Sequence, residues 1–250
     1  MGEQTHFGFE AVSADERTRR VKDVFRRISS SYDLMNDLMS VGIHRLWKDH
    51  LVQNVELNPH SHILDMAGGT GDIAFRFLKT YPHLELQITI CDLTPTMIEI
   101  GRKRATDQGF LEQSHGVEWT CSNAENLPFA DDSVDLYTIA YGLRNVTHLD
   151  QALKEAFRVL KVGGQFICLE FSQVKTAIFR EAYDFYSFRV LPILGEYVAQ
   201  DRAAYQYLVE SIRQFPDQEA LSSLIKAAGF SSVHWQNLCS GISCIHTSIK

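Results

Sequence analysis

The first chemical signal is a run of eight residues, Asp65-Met66-Ala67-Gly68-Gly69-Thr70-Gly71-Asp72, leading from a strand-like stretch through a glycine-rich loop into a helix-like one. Glycines let a backbone turn tightly and come close to a ligand. Gly69-x-Gly71-x-x-Ala74 satisfies the dinucleotide spacing, and Asp92 ends the next apolar run, 21 residues after Gly71, where an acid can hold ribose hydroxyls. Two ligand classes share this pattern, a nicotinamide dinucleotide and S-adenosylmethionine (SAM). Charge favours the second. A dinucleotide sets its pyrophosphate at the helix N-terminus, where Asp65 and Asp72 would repel it. SAM offers an ammonium and a sulfonium instead.

Two further loops carry polar groups to the same end of the expected sheet. Asn123-Ala124-Glu125-Asn126 follows a third strand-like run, where an Asn amide can pair with an adenine edge. Tyr141-Gly142-Leu143-Arg144-Asn145-Val146-Thr147-His148 follows a fourth and faces the position of a methyl acceptor. Arg144 and Asn145 can hold an oxygen-bearing substrate there. Arg144 stays charged and is a poor proton acceptor, so it is expected to stabilise developing negative charge. His148 is a candidate base, although an exposed loop histidine is the plainer reading. The ten histidines are dispersed, with no metal-ligand spacing, so no metal is expected. No Tyr-x-x-x-Lys follows the fourth run, which weakens the short-chain dehydrogenase version of the nicotinamide reading.

These loops need a scaffold, and strand-like and helical stretches alternate from residue 61. Strands are expected at 62–66, 86–92, 117–122, 134–141 and 165–171. Helices are expected at 71–81, from Pro95 to about 108, and at 149–160. Continuous apolar runs predict a mostly parallel sheet buried on both faces. A helix at 217–229 and two strands joined at Ser240-Gly241 close the chain as a hairpin, giving an α/β fold of seven strands. The chain divides into a tail and helical cap (1–60), a ligand-binding core (61–172), a helical aromatic insert (173–216) and a closing helix and hairpin (217–250). Residues 1–16 read as a loose tail. From Arg17 a helix has Val21, Val24, Phe25 and Ile28 on one face and six basic residues on the other; either the apolar stripe covers the ligand pocket and the charges are solvated, or the basic face meets an anionic membrane.

The 250 residues are 45% hydrophobic, enough for a substantial core, and carry a net charge of −7, which argues against a nucleic-acid partner. The five cysteines form no C-x-x-C pair and read as reduced. No run approaches the roughly 20 apolar residues of a membrane span, and no secretory or transit segment is expected in residues 1–20.

The blocks YDLMNDLMSVGIHRLWK (32–48), LDMAGGTGDIAFRF (64–77), YGLRNVTHLDQALKEAFRVLKVGGQFICLEFS (141–172) and YDFYSFRVLPILGEYVAQDRAAYQYLVESIRQFP (183–216) together resemble the UbiE-type C-methyltransferases of ubiquinone and menaquinone biosynthesis. The N-terminal FGFEAVS and the closing SGISCIH resemble the mitochondrial ubiquinone branch most. The resemblance implies a class I SAM-dependent methyltransferase fold and a polyprenylated methoxy-benzoquinol methylated on a ring carbon. It also implies a cofactor set of Asp65, Gly68, Gly69, Thr70, Asp92, Leu93, Asn123 and Ala124, with Arg144, Asn145 and Tyr32 at the acceptor. Ala140 stands where bacterial members often have Ser, and Val162 where Pro is usual, so a cofactor contact through that hydroxyl is absent here. Implied partners are the quinol, a peripheral contact with the matrix side of the mitochondrial inner membrane, other ubiquinone-biosynthesis proteins and a second copy of the chain. A naphthoquinol acceptor, a non-catalytic quinone- or lipid-binding subunit and a nicotinamide-linked oxidoreductase remain as rival readings.

Overall fold

A computed structural model describes residues 4–29, 34, 36, 37, 40, 42–110, 116–175, 181, 183, 185–191, 193 and 201–250. Their centre is a seven-stranded sheet: β3 (His62–Met66), β4 (Gln87–Asp92), β5 (Gly116–Cys121), β6 (Val134–Ala140), β7 (Leu160–Phe171), β8 (Ser231–Leu238) and β9 (Ser243–Ile249). The order is β5-β4-β3-β6-β7-β9-β8. β3 to β7 are mutually parallel, while β9 runs antiparallel to both β7 and β8. The expected architecture is therefore present, with the hairpin turning at Cys239–Gly241.

Successive strand residues point to opposite faces, and the two faces feed two cores. Ile63, Leu136 and Ile167 join one core, with α1 (Ala14–Ile28), α2 (His44–Gln53), α3 (Asp72–Thr80) and α6 (Arg202–Gln214). Leu64, Tyr137 and Cys168 join the other, with α5 (Leu149–Val159) and α7 (Gln218–Ala227). α4 (Pro95–Asp107), opened by a first-turn proline, places Ala105 in the first core. Burial on both faces explains the unbroken apolar runs.

The N-terminus departs from expectation. Residues 4–13 are not loose but form a hairpin of β1 (Gln4–Phe7) and β2 (Glu10–Ser13), with Phe7 opposite Glu10 across the Gly8-Phe9 turn. Packing secures it: Phe7 stacks on Tyr207 of α6 at 4.2 Å, and Glu210 accepts the Phe9 amide. α1 begins at Ala14, three residues before the predicted start, because the Ser13 side chain accepts the Glu16 amide as its N-cap. Ser13-x-x-Glu16 has the capping-box spacing, a signal that the predicted start at Arg17 passed over. The strand expected at 165–171 begins at Leu160, with a register shift against β6.

Candidate active site

Strand order reverses at β3, which lies between β4 and β6, so the loops after these strands diverge and leave a crevice at their carboxyl ends. The loop after β3 turns through Gly69 and Gly71, and Gly71 (φ 85°) caps α3 in a conformation that disfavours other residues. Gly68 serves close approach: a Cβ there would lie 2.7 Å from Ile90 Cγ2 and 2.8 Å from Asp65 Oδ2.

The resulting cleft, about 710 Å³, is floored by Met66, Ala67 and Gly69 and walled by Asp92, Leu93 and Thr94, by Asn123, Ala124 and Glu125, and by Tyr141, Gly142 and Asn145. Thr18, Val21 and Phe25 of α1 cover it. Asp92 ends β4, and each of its oxygens holds a backbone amide: Oδ2 accepts from Gly69 (3.0 Å) and Oδ1 from Thr94 (2.8 Å). Burial raises its pKa against these bonds. Each carboxylate oxygen retains acceptor capacity for a ribose hydroxyl. Asn123 Oδ1 accepts the Glu125 amide, so its amide nitrogen is the group left for an adenine edge.

Of the predicted cofactor residues, Gly69, Asp92, Leu93, Asn123 and Ala124 line the cleft. Gly68, Asp65 and Thr70 lie behind it. Thr70 takes a hydrogen bond from Arg104. Asp65 is buried, accepts from Thr138 through Oδ1, and its Oδ2 has no hydrogen-bond partner among the described residues. Burial pushes its carboxyl up to about 7. A buried carboxylate with one oxygen unpartnered among the described residues, beneath the glycine loop, suits a cationic ligand.

Asp72 requires a correction. The sequence argument set its charge against a pyrophosphate, but the carboxylate bonds Lys48 Nζ at 2.9 Å and Arg76 Nε at 3.1 Å and does not line the cleft. Burial alone would raise it, yet these cations bring it down to about 2. Of the acids, Asp92 and Glu125 line the cleft, and Asp65 lies beneath its glycine loop.

Arg144 and Asn145 part company. Asn145 faces the cleft. Arg144 is buried behind it, with Nη1 2.8 Å from Glu170 Oε1 and 2.5 Å from the Tyr141 carbonyl. It borders a second, polar cavity of about 480 Å³ shared with Arg17 and Tyr207. His148 stands 3.9 Å from Glu125 and outside the cleft lining. Tyr32 lies outside the described residues.

The sequence reading missed Glu170 and Glu125, whereas the α1 cover is the alternative it offered to membrane docking. Glu170 was detectable as the lone acid in the apolar run QFICLEF, since a buried carboxylate needs a partner. Glu125 holds the Thr147 and His148 amides and so ties two cleft loops together.

Residues 12–250 match the ubiE/COQ5 methyltransferase family. The chain belongs to that family. It is 48% identical over 272 residues to the mitochondrial 2-methoxy-6-polyprenyl-1,4-benzoquinol methylase of Dictyostelium discoideum, covering 99% of this chain and 87% of that protein. Against the protein of the same name from Homo sapiens it is 46% identical, covering 99% and 84%. Among solved structures, phosphoethanolamine N-methyltransferase 2 of Haemonchus contortus in complex with SAM aligns with a TM-score of 0.59 at 13% identity, over 84% of this chain and 52% of that one. A SAM-dependent methyltransferase from Aquifex aeolicus aligns with a TM-score of 0.57 at 13% identity, over 81% and 88%. These two likenesses concern the fold, and with the family match they make the chain a class I SAM-dependent methyltransferase.

Asp65 yields a pH-dependent expectation. Its folded value, about 7, lies above its ordinary value of 3.8. Its protonation therefore favours the folded chain below about pH 4, and that contribution is lost as pH rises through 7. Asp65→Asn removes the charge. The gain above pH 7 is bounded by roughly 4 kcal/mol and is reduced because the new amide hydrogens lack an acceptor. The unliganded variant should melt a few degrees above the parent at pH 8 and level with it at pH 4, while binding SAM more weakly. A lower melting temperature at pH 8 would mean that the charge is already answered without ligand.

Proposed function

We propose that this chain methylates a ring carbon of a 2-polyprenyl-6-methoxy-1,4-benzoquinol. The observation that carries the reading is the near end-to-end similarity, at 46–48% identity, to relatives named for that reaction. Asp92, Asn123 and Ala124 would hold the nucleoside of SAM, and the loop above Asp65 its cationic end. When bound, SAM supplies an electrophilic sulfonium methyl.

The protein's own contribution is orientation, exclusion of water and stabilisation of the acceptor's negative charge. A neutral quinol carbon is a weak nucleophile. Loss of a phenolic proton, with pKa near 10 as for tyrosine, places charge on the ring, and after transfer the ring carbon's own proton leaves to restore aromaticity. Asn145 offers a hydrogen bond to that oxygen at the cleft wall. Arg144, held by Glu170, supports the Asn145 turn from behind and contributes its field rather than direct contact. Val21 and Phe25 close the cleft with apolar surface.

The tail must come from a bilayer, and the described residues contain no helix long and apolar enough to cross one. The basic face of α1 is a weak candidate for docking. Arg20 pairs with Glu10 and Glu16, Arg26 with Asp23, and Arg27 with Asp201. Phe185, Phe188 and Ile193 in the aromatic insert are 66%, 43% and 49% exposed, and we assign peripheral contact with the mitochondrial inner membrane to them. A second copy of the chain and other ubiquinone-biosynthesis proteins stay as proposed partners.

One assay tests both proposals, using SAM labelled on its methyl. Label should enter a short-tailed methoxy-benzoquinol in solution and a long-tailed one in cardiolipin-containing vesicles. Phe185→Glu/Phe188→Glu should lose most of the vesicle activity and keep the soluble activity. Label entering only a naphthoquinol would move the assignment to the menaquinone branch, and no label in any quinol would refute methyl transfer. Equal vesicle activity in the double variant would remove the insert as the docking surface.

A further inference from the structure

Asn145 ends the short turn Leu143–Asn145 after β6, and three neighbours pin the backbone around it. Arg17 donates to the carbonyl of Arg144 at 3.0 Å and to that of Thr147 at 3.4 Å. Glu170 accepts the Arg144 amide, and Glu125 the Thr147 amide. These bonds set where the residue sits. They leave open which end of its side-chain amide faces the cleft, and the two ends are chemical opposites, since the carbonyl accepts and the NH2 donates.

That choice is made from α6. The Tyr207 hydroxyl donates to Asn145 Oδ1 at 3.0 Å. Tyr207 is buried, and its ring is clamped by the N-terminal hairpin, where Phe7 stacks on it at 4.2 Å and 13°. With its carbonyl occupied, Asn145 has its NH2 left for a ligand. A donor at that point binds an oxyanion more strongly than a neutral hydroxyl.

We infer that Tyr207 is a positioning residue for methyl transfer, fixing the Asn145 amide so that its NH2 meets the acceptor's deprotonated ring oxygen. The inference rests on the quinol reading above. Burial pushes the Tyr207 hydroxyl up to about 12, against the lowering effect of Arg17 and Arg144 and with Glu170 adding to the rise, so it remains a donor across the working pH range. The hairpin that the sequence presented as a tail thereby takes part in the site, through Phe7.

Tyr207→Phe keeps the ring stack and deletes only the donor. With a short-tailed methoxy-benzoquinol, kcat should fall about tenfold, the worth of one hydrogen bond of roughly 1.4 kcal/mol, while SAM affinity stays within twofold. The ascending limb of the kcat–pH profile should move up by about one unit, because the oxyanion loses part of its stabilisation. Asn145→Ala should lower kcat at least as far, and adding Tyr207→Phe to it should change nothing further. Phe7→Leu, which keeps the hydroxyl and loosens the clamp, should give a smaller loss that Asn145→Ala also masks. Additive losses, or an unmoved pH limb in Tyr207→Phe, would overturn the inference while leaving the methylase reading intact. A parent chain that methylates no quinol would instead refute that reading.

Discussion

Arg144→Ala should destabilise the chain by about 3–5 kcal/mol, the usual cost of breaking a buried ion pair on one side. The large effect comes from what is left behind. Arg144 and Glu170 are 3% and 1% exposed, and their side chains meet at 2.8 Å. Without the guanidinium, a carboxylate stays buried with, among the described residues, the Arg144 and Phe171 amides to answer it. For a chain of this length each kcal/mol moves the melting temperature by about 2–4 °C, so a fall of roughly 6–20 °C is expected in thermal unfolding. Glu170→Gln alone should also destabilise, and the double variant Arg144→Met/Glu170→Gln should recover much of the Arg144→Ala loss. A change below 2 °C in Arg144→Ala would show that Glu170 finds other partners. The cycle also guards against a misreading. Lost turnover in Arg144→Ala cannot be taken as lost catalysis until stability has been measured, because the guanidinium also supports the Asn145 turn through the Tyr141 carbonyl and Glu170.

The part of this site legible in the sequence was the part made by local pattern. Gly68 to Gly71 and Asp92 follow from strand–loop–helix spacing, and the chain delivers them to one cleft because parallel strands place all their carboxyl ends together. Pairings between elements were hidden. Asp72 looked like free acidity beside the ligand because Lys48, on α2, meets it only once α2 packs on α3. Arg144 and Glu170 sit at the carboxyl ends of adjacent strands, so the pairing of β6 with β7 foretells their meeting. That pairing turns an apparent substrate-facing arginine into a structural one. The α1 helix shows the same limit. Its basic face is prominent in the sequence, but the carboxylates that answer it come from β2, from α1 itself and from the N-cap of α6. Its apolar face, offered in the sequence as a cover for the pocket, is the lid of the cleft.

Asp92→Ala should abolish measurable SAM binding. Its carboxylate stands on the cleft wall at the end of β4, and two ribose hydroxyls bound by charge-assisted hydrogen bonds contribute about 1.5–3 kcal/mol each. Losing both lowers affinity by at least a hundredfold, readable by calorimetry. The same carboxylate holds the Gly69 and Thr94 amides, so some loss of stability must accompany the change. Affinity alone then cannot separate a lost ribose contact from a loosened glycine loop. A ligand change separates them. S-adenosylhomocysteine and its 2′-deoxy analogue differ only in one hydroxyl, and the parent chain should prefer the first by about tenfold or more, as one such bond requires. In Asp92→Asn, which retains one carbonyl oxygen and enough affinity to measure at high ligand concentration, that preference should shrink towards unity. Were the preference to survive while overall affinity fell, Asp92 would serve only to tether the loop, and the ribose would be held by another group on the cleft wall.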